Sequence, residues 1–376
     1  MFDVIVCGAG PAGAIAATVL ARGGARVLML DRARFPRPKL CGDTINPGAV
    51  AILRRLDLLR RVEPQAIDVR GMVVTGERGV SVRCEYGDAV RGLAIARREL
   101  DAALVEGAAE AGVRFEDGVL VRGALTDSNR GPARVRGVVI AGRDGRDVRV
   151  PAPLVIAADG RRSRLAISLG LARQPDHPRR WAAGAYFEGV TGMSALGEMH
   201  VRRGQYIGLA SVPGGTTNVC VVVGQTPALR DPGALMAAAL AGDPLLRPRF
   251  AMARRIAAPS VIGPLALDAS SAGMPGLLLA GDASGFIDPM TGDGLRFAMR
   301  GGELAAAAAL AALAGMACPH ERLAHARRRE FAGKWRFDRA LRRVVDHPAS
   351  LNAATLAAQA VPWILRRTIA FAGDVA

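Results

Sequence analysis

The amino-acid sequence predicts an α/β fold, in which a Rossmann-like domain is interleaved with a β-rich domain and followed by a helical C-terminal segment. Three apolar runs are typical of buried parallel strands, and each is followed by a Gly or an Asp: residues 3–7, 153–158 and 276–280. Residues 69–96 and 181–224 alternate apolar and polar residues, which indicates strands of a different sheet. Residues 320–376 are predicted to be mostly helical.

The first apolar run leads into a glycine-rich turn, Gly8-Ala9-Gly10-Pro11-Ala12-Gly13, then an apolar helix and a second strand that ends at Asp31. In such a βαβ unit the three glycines permit the tight turn, the close approach of a pyrophosphate and close helix packing, in that order. The N–H groups of the first helical turn and the helix dipole hold phosphate charge, and Asp31 can accept the ribose hydroxyls. The unit predicts dinucleotide binding rather than a bare turn.

The composition excludes some classes of protein. The formal net charge is +16, but Lys39 and Lys334 are the only lysines and the arginines are scattered, without interleaved aromatic residues. This pattern predicts a solvated basic surface and no nucleic-acid partner. The five cysteines form no C-x-x-C pair, so neither a disulfide framework nor a metal site is indicated.

The sequence predicts a cytoplasmic protein with reduced cysteines, because it begins directly on the first strand without a basic leader. The longest apolar run, 304–318, is too short to span a bilayer. Residues 352–371 leave three alternatives open: peripheral contact with the inner face of the membrane, a cover over a lipid tunnel, or a helix packed on the Rossmann-like domain.

Taken together, the three strand ends resemble those of FAD-dependent flavoproteins of the para-hydroxybenzoate hydroxylase class, over about residues 1–330. The loop after Asp31 is similar to that of the geranylgeranyl reductase branch, at Phe35, Arg37, Lys39, Cys41, Gly42, Asp43, Pro47 and Ala49. The loop departs from that branch at residues 44–46, and a tryptophan is missing between Tyr206 and Pro213. A Gly-Trp-x-Trp-x-Ile-Pro segment is absent, which counts against a flavin halogenase.

The resemblance implies a division of the chain. The FAD-binding domain would comprise residues 1–68, 97–178 and 257–330, and the substrate domain residues 69–96 and 179–256. Residues 331–376 would form the C-terminal helical segment.

The resemblance also implies site residues. Arg97 would reach the FAD phosphates, Asp159 would lie beside the pyrophosphate, and Asp282 would bind the ribityl chain. The helix that begins near Gly292 and Gly294 would direct its N–H groups at the flavin. The full set of implied cofactor-binding residues is Gly8, Gly10, Pro11, Ala12, Gly13, Asp31, Arg32, Lys39, Cys41, Gly42, Arg97, Asp159, Gly281, Asp282, Pro289, Gly292 and Gly294.

Cys41 has two interpretations, either a catalytic group that binds substrate or donates a proton, or a small residue in a tight loop. Tyr206 and Pro213 are the implied substrate-binding residues. Since one glycine fingerprint is present, NADPH or NADH is expected to reduce the flavin by binding only transiently. An electron carrier is the other possible donor.

The expected reaction is reduction of carbon–carbon double bonds in a hydrophobic, isoprenoid-like or lipid-like small molecule. The alternative is a monooxygenase that hydroxylates or epoxidises such a molecule. The low aromatic content of 4% favours a pocket for an aliphatic chain.

Overall fold

The computed structural model describes residues 1–77, 79–87, 90–127, 133–142, 144–176, 179–346 and 361–375. Within these ranges the N-terminal strand belongs to a six-stranded sheet, made of β1 (Val4–Cys7), β2 (Val27–Leu30), β8 (Arg114–Glu116), β12 (Leu154–Ala157), β21 (Gly273–Met274) and β22 (Leu277–Leu279). The order is β21-β22-β12-β1-β2-β8, and only the β21–β22 pair is antiparallel. The three predicted apolar runs are thus neighbours, and the Rossmann-like fold is confirmed.

Three helices cover one face of this sheet: α1 (Pro11–Arg22), α4 (Arg97–Glu110) and α7 (Gly294–Leu313). Their apolar residues form one core with the sheet, and Ile15, Leu104 and Met299 are completely buried in it. The backbones of α1 and α7 lie close together, since a side chain at Gly302 would strike the carbonyl of Ala12. The glycine turn at the start of α1 is therefore held rigidly against the core.

An antiparallel sheet covers the opposite face, with strands β9 (Val121–Asp127), β10 (Arg134–Ala141) and β11 (Asp147–Pro151). The sequence predicts a meander that also includes the strand near residue 114, and this part is wrong. That strand, β8, pairs in parallel with β2, because α4 returns the chain to the open edge of the first sheet. Residues 129–132, an Asn-Arg-Gly-Pro run that separates two strands of the predicted meander, lie outside the described residues.

Both alternating stretches of the sequence contribute to one eight-stranded sheet: β5 (Gly71–Thr75), β6 (Ser81–Glu85), β14 (Arg180–Glu188), β15 (Leu196–Arg202), β16 (Gln205–Val212), β17 (Thr216–Gly224), β18 (Arg254–Arg255) and β19 (Ser260–Ile262). The main path is β18-β14-β17-β16-β15-β5-β6, and β19 pairs with β14. The parallel pairing of β5 with β15 joins the two stretches.

Short elements complete the structure. The strands are β3 (Thr44–Ile45), β4 (Ile67–Val69), β7 (Gly92–Ala94), β13 (Ala172–Arg173) and β20 (Asp268–Ala269), and the 3₁₀ turns are Glu63–Gln65, Pro227–Arg230 and Gly281–Ser284. The other helices are α2 (Pro47–Arg55), α3 (Leu59–Val62), α5 (Arg164–Ser168), α6 (Pro232–Gly242), α8 (Pro319–Asp346) and α9 (Pro362–Ala372). The sequence also predicts helical structure over residues 226–256, and this is largely wrong, because α6 ends at Gly242 and Pro244 prevents its continuation.

Helix α9 packs beside β6, where the carbonyl of Arg366 accepts a weak hydrogen bond from Cys84 Sγ at 3.6 Å. Part of the predicted C-terminal helical segment, residues 347–360, lies outside the described residues. Across the described chain, no helix is both long enough and apolar enough to cross a bilayer.

Candidate cofactor and substrate site

The glycine turn has a backbone that requires glycine at two positions. Gly8 has a φ of +103°, and a side chain there would strike the backbone of Ala158. A side chain at Gly13 would strike the carbonyl of Gly8. The space in front of Gly10 is open, because the nearest atom to a Cβ placed there would be Nη2 of Arg37, 3.8 Å away. Gly8 and Gly13 serve the fold, whereas Gly10 leaves room for a ligand.

Asp31 connects this turn to the end of β2. Its Oδ2 accepts a hydrogen bond from the N–H of Ala9, and its Oδ1 accepts one from the N–H of Ala33, both at 2.9 Å. Each oxygen keeps a further lone pair for the hydroxyls of a ribose. The next residue, Arg32, is exposed to solvent.

The first turn of α1 packs against the end of β22. Pro11 occupies the start of the helix, where its missing N–H costs nothing. Gly281 has a φ of +59°, and a Cβ at that position would press on Ala12. Two strand ends and the first turn of α1 therefore meet around the mouth of one cleft.

Two arginines share one buried carboxylate beside the glycine turn. Nη2 of Arg97 donates to both carboxylate oxygens of Asp101, at 2.9 Å to Oδ1 and 3.0 Å to Oδ2. Nη1 of Arg37 lies 3.1 Å from Oδ2 of the same carboxylate. Although burial acts to lower the pKa of Arg97, Asp101 holds it above its usual range. Two positive charges on one negative charge leave a net positive charge that favours phosphate.

Arg37 is a residue that the sequence reasoning missed as a ligand. The structure places it at the glycine turn, with Nη2 3.8 Å from Asp31 Oδ2, while Arg97 lies deeper. Its place in the loop motif between Phe35 and Lys39 was a signal that could have found it.

The ends of β12 and β22 bring Asp159, Arg161 and Asp282 together. Nε of Arg161 lies 4.0 Å from Asp282 Oδ2, and the N–H of Arg164 donates to Asp159 Oδ2 at 2.9 Å. Asp159 Oδ1 and Arg161 Nη1 are buried without a hydrogen-bond partner among the described residues. Burial raises the pKa of Asp159 and lowers the pKa of Arg161.

Unpaired buried polar atoms each cost about 1–3 kcal/mol. The hydroxyl and phosphate groups of FAD are the complements that these atoms lack, and ligands of such sheets bind outside the carboxyl ends of the parallel strands. The residues present therefore fit a bound FAD, whose chain Asp31, Arg37, Arg161 and Asp282 would hold.

The N-terminus of α7 faces the same cleft, after a loop that contains Pro289 and Gly292, whose φ is +72°. Asp293, which precedes Gly294, accepts hydrogen bonds from Asn46 Nδ2 at 3.0 Å and Lys334 Nζ at 3.1 Å. Burial raises the pKa of Asp293 to about 6, against the opposing effect of Lys334. The hydrogen bonds of Asp293 thus fix this loop. The N-terminus of α7, which is the positive end of the helix dipole, would stabilise negative charge on a bound ligand.

The loop from Lys39 to Gly42 crosses the cleft. Burial, together with the nearby positive charge of Arg97, lowers the pKa of Lys39 to about 8. The carbonyl of Cys41 accepts hydrogen bonds from Asn218 Nδ2 at 3.0 Å and from Cys220 Sγ at 3.2 Å. Cys41 also lines a cavity.

Asp43, which follows this loop, is a second residue that the sequence reasoning did not assign to the site. It has a φ of +56°, and its Oδ2 accepts from Tyr186 Oη at 2.5 Å and Asn218 Nδ2 at 2.7 Å. Burial raises the pKa of Asp43 to about 6. Its partners come from β14 and β17, so only the folded chain reveals that Asp43 fastens the loop to the eight-stranded sheet.

A cavity of about 330 Å³ begins at this loop and runs between the eight-stranded sheet and the C-terminal helices. Its lining is mostly aliphatic and comes from distant parts of the chain, among them Met72, Val74, Met199, Leu341, Val345 and Ile369. Of residues 352–371, for which three alternatives were open, residues 352–360 lie outside the described chain. Thr368, Ile369 and Ala372 of α9, and Gly373 after it, line this cavity.

The cavity brings together six of the residues that the sequence predicts for the site: Cys41, Gly42, Tyr206, Pro289, Gly292 and Gly294. It does not include Pro213, which is exposed in the turn between β16 and β17. Tyr206 is buried, and its hydroxyl donates to Asp288 Oδ1 at 2.6 Å.

One acidic group forms part of the polar wall of the cavity. Burial acts to raise the pKa of Glu198, but hydrogen bonds from Arg249 and His200 lower it to about 2. The carboxylate lies 2.6 Å from Arg249 Nη1 and 2.9 Å from His200 Nε2. Glu198 is therefore ionised and paired at neutral pH.

A glycine turn at the start of α1, an acid at the end of β2 and an apolar cavity beside the loop that follows are typical of an FAD-dependent oxidoreductase. A model of the family described as FAD binding domain matches residues 1–193. Menaquinone reductase of Mycobacterium tuberculosis is 32% identical over 328 residues, which cover 81% of this chain and 75% of that protein. Digeranylgeranylglycerophospholipid reductase 1 of Methanothermobacter thermautotrophicus is 30% identical, over 83% of this chain and 77% of its own length.

The chain belongs to the FAD-binding domain family and, within it, to the geranylgeranyl reductase family of flavoproteins. Solved structures agree on the fold. A geranylgeranyl bacteriochlorophyll reductase-like protein of Thermoplasma acidophilum has a TM-score of 0.77 and 21% identity, and 100% of this chain and 99% of that chain are covered. The flavin-dependent brominase Bmp2 has a TM-score of 0.85 and 21% identity, over 99% of this chain and 93% of its own. The resemblance predicted from the sequence is confirmed.

Proposed function

We propose that this flavoprotein reduces carbon–carbon double bonds in a long aliphatic, isoprenoid-like substrate, with NADPH or NADH as the transient reductant. The observation that carries the proposal is the continuity between the cofactor loops and the aliphatic cavity. Cys41, Pro289 and Gly292 border the same space as Met199, Leu341 and Ile369.

The chemistry of the lining supports a flexible apolar chain. Methionine, leucine and valine side chains adapt to an unbranched or methyl-branched chain, whereas a stacked aromatic ring needs flat partners. The named substrates of the relatives agree with this, because menaquinones and digeranylgeranyl lipids both carry polyprenyl chains.

Bound FAD, once reduced, supplies two electrons to the substrate double bond. The chain contributes positioning and electrostatics. The N-terminus of α7 would stabilise negative charge on a reduced cofactor, and the loop anchored by Asp43 would orient the substrate end beside it. Residues of helices α8 and α9 line the cavity, and a substrate bound beneath them would be shielded from water.

The test is anaerobic turnover by purified, FAD-loaded protein with a polyprenyl quinone or a digeranylgeranyl lipid. We expect products that gain two hydrogen atoms per reduced double bond, as measured by mass spectrometry. Turnover that requires oxygen and adds one oxygen atom would overturn the proposal in favour of a monooxygenase.

The reductant is tested separately by rapid mixing without oxygen. NADPH or NADH should bleach the flavin absorbance of the protein. If neither does, while dithionite-reduced protein still saturates the substrate, the reductase proposal stands and an electron carrier replaces the nicotinamide.

A further inference from the structure

One short turn connects the cofactor site to the C-terminal helices. The 3₁₀ turn Gly281–Ser284 follows β22 and carries Asp282, which we expect to bind the ribityl chain of FAD. The hydroxyl of Ser284 donates to the carbonyl of Gly281 at 2.6 Å, so the turn is closed by its own hydrogen bond. A Cβ at Gly281 would lie 2.7 Å from the Cβ of Ala12. The turn therefore packs directly against the first turn of α1, where we expect the FAD phosphates.

Arg327, on α8, contacts this turn. Its Nη2 donates to the carbonyl of Ser284 at 3.0 Å. A Cβ at Gly301, on α7, would lie 3.4 Å from Nη1 of Arg327 and 3.5 Å from the backbone nitrogen of Gly281. One point on α7 is thus close to both nitrogen atoms. The guanidinium group therefore lies beside both ends of the turn.

The charge of Arg327 is buried without a carboxylate beside it. Arg327 is 6% exposed, and in the part of the chain that the structure describes no ion pair joins it to an acidic residue. The guanidinium lies instead over the rings of Phe331 and Trp335, 5.6 and 5.5 Å from their centres. Burial lowers the pKa of Arg327 to about 10, so the side chain is still charged at neutral pH.

Arg97 has the same exposure of 6% but a different environment. Its Nη2 donates to both carboxylate oxygens of Asp101, at 2.9 and 3.0 Å. A buried charge loses its hydration, and a carboxylate is the usual compensation. The rings beside Arg327 compensate for this loss only in part. Arg327 is therefore a buried cation that lacks an anion.

The neighbouring arginines of α7 do not share this property. Arg296 Nη2 lies 3.3 Å from a carboxylate oxygen of Glu330, and Arg300 Nη1 lies 3.0 Å from one of Glu303. Their charges are balanced within the protein. Only the charge of Arg327, among these three, remains for a ligand to balance.

From these contacts we infer that Arg327 is a positioning residue for FAD, which acts through the Gly281–Ser284 turn. Its hydrogen bond to Ser284 holds the turn against α1, and the negative pyrophosphate of the bound cofactor balances its buried charge. In the protein interior the effective dielectric constant is low, so a charge acts across an intervening layer of residues. The inference concerns the binding of FAD and does not depend on the substrate or the reductant.

The binding test titrates FAD into apo-protein that carries Arg327→Met or Arg327→Lys. Arg327→Met removes the charge and the hydrogen bond, and we expect the Kd for FAD, measured from flavin fluorescence, to rise roughly 10-fold. Arg327→Lys keeps a charge and a donor, so its Kd should stay within about 3-fold of the wild-type value. Arg328→Met is the matched control, because Arg328 is exposed on the same helix. Its Kd should not change.

The stability of the apo-protein is a second readout. A residue that only supports the packing of α8 should lower the melting temperature of the apo-protein when it is replaced. Arg327→Met should instead leave this temperature unchanged or raise it, because the substitution removes an unbalanced buried charge. The rise in melting temperature on addition of FAD should be smaller in Arg327→Met than in the wild-type protein.

The other outcomes overturn the inference. An unchanged Kd in Arg327→Met shows that FAD does not need this residue. An Arg327→Lys variant that binds FAD as weakly as Arg327→Met shows that the charge is not what matters. Apo-protein with Arg327→Met that melts below the wild type, or fails to fold, assigns Arg327 to the packing of α8.

These measurements are separate from the test of the proposed function, because they include neither substrate nor reductant. A protein that forms no saturated product but follows the expected Kd values contradicts the reductase and supports the role of Arg327. A protein that saturates its substrate with an unchanged Kd in Arg327→Met has the opposite meaning.

Discussion

The two ends of the cleft are built in opposite ways. The end at the glycine turn is polar, and its first part is formed by segments that are close in the sequence: Asp31 fixes the N–H of Ala9, and Arg37 lies within 4 Å of Asp31. Residues of α4 and of the ends of β12 and β22 complete this end. The cavity end is aliphatic, and its walls come from residues 40–46, 69–86, 182–222, 286–295, 337–345 and 368–373. The first end recognises groups shared by every FAD, and the second has to fit one particular substrate.

This difference explains how the family holds one cofactor while its members bear the names of several substrates. A phosphate site depends on backbone N–H groups and tight glycines, so few changes are tolerated there. An aliphatic wall tolerates exchange of one apolar side chain for another at constant volume. Substitutions at the two ends should therefore have separable effects on cofactor retention and substrate turnover.

The largest effect is expected at the glycine turn. Gly8→Ala places a methyl group against the backbone of Ala158, in addition to backbone strain of about 1–3 kcal/mol. We expect purified protein without bound FAD, as measured by the ratio of flavin to protein absorbance.

Gly24→Ala is the matched control, because Gly24 has a φ of +85° and open space around it. Gly24→Ala introduces the same kind of backbone strain as Gly8→Ala but no steric clash. If both variants lose FAD equally, the close approach at Gly8 is not what builds the site.

The same contrast shows how much the sequence could reveal. The strand, turn and helix around Gly8 depend on neighbouring residues, so the βαβ unit and the position of Asp31 at the end of β2 could be predicted. Asp43 could not, because its hydrogen-bond partners Tyr186 and Asn218 lie 143 and 175 positions away. Local patterns encode elements and turns, whereas the pairing of β5 with β15 and the cover by α9 are tertiary.

Asp282→Ala tests the cofactor end with a smaller change. Removal of one charge-assisted hydrogen bond to the FAD chain should weaken FAD binding by about 2 kcal/mol, or roughly 30-fold. Cys41→Ala should leave FAD binding close to that of the wild type, because Cys41 lines the substrate cavity and its thiol carries no charge for the FAD phosphates. Dissociation constants from flavin fluorescence measure both. Equal weakening would contradict the separation of the two ends.

Gly208→Val tests the cavity end. Gly208 lines the cavity, and the atom nearest to a Cβ placed there is Met199 Cε at 3.9 Å, so valine fits the fold and fills substrate space. We expect kcat/KM for a polyprenyl substrate to fall about 10-fold, with FAD content unchanged. Gly224→Val, at the exposed end of β17, adds the same side chain outside the cavity. A similar loss in that control would show that strand valines disturb the sheet itself.

The smallest effect concerns how a lipid-like substrate reaches the cavity end. On α9 the inner residues Thr368 and Ile369 line the cavity, while Trp363, Arg366 and Arg367 are exposed. An aromatic side chain beside two cations is typical of a surface that contacts anionic lipid, so we predict binding to phosphatidylglycerol vesicles.

Arg366→Ala should weaken that binding by about 1 kcal/mol, or roughly 5-fold, in a vesicle sedimentation assay at low salt. Arg149→Ala removes an exposed charge from β11 instead and serves as the control. Because both variants lose one positive charge, a purely non-specific attraction of the +16 chain would weaken equally in the two. If only Arg366→Ala weakens vesicle binding, the membrane contact is made by α9, whose residues also line the substrate cavity. If both variants weaken vesicle binding equally, the attraction is non-specific and α9 is not the membrane-binding surface.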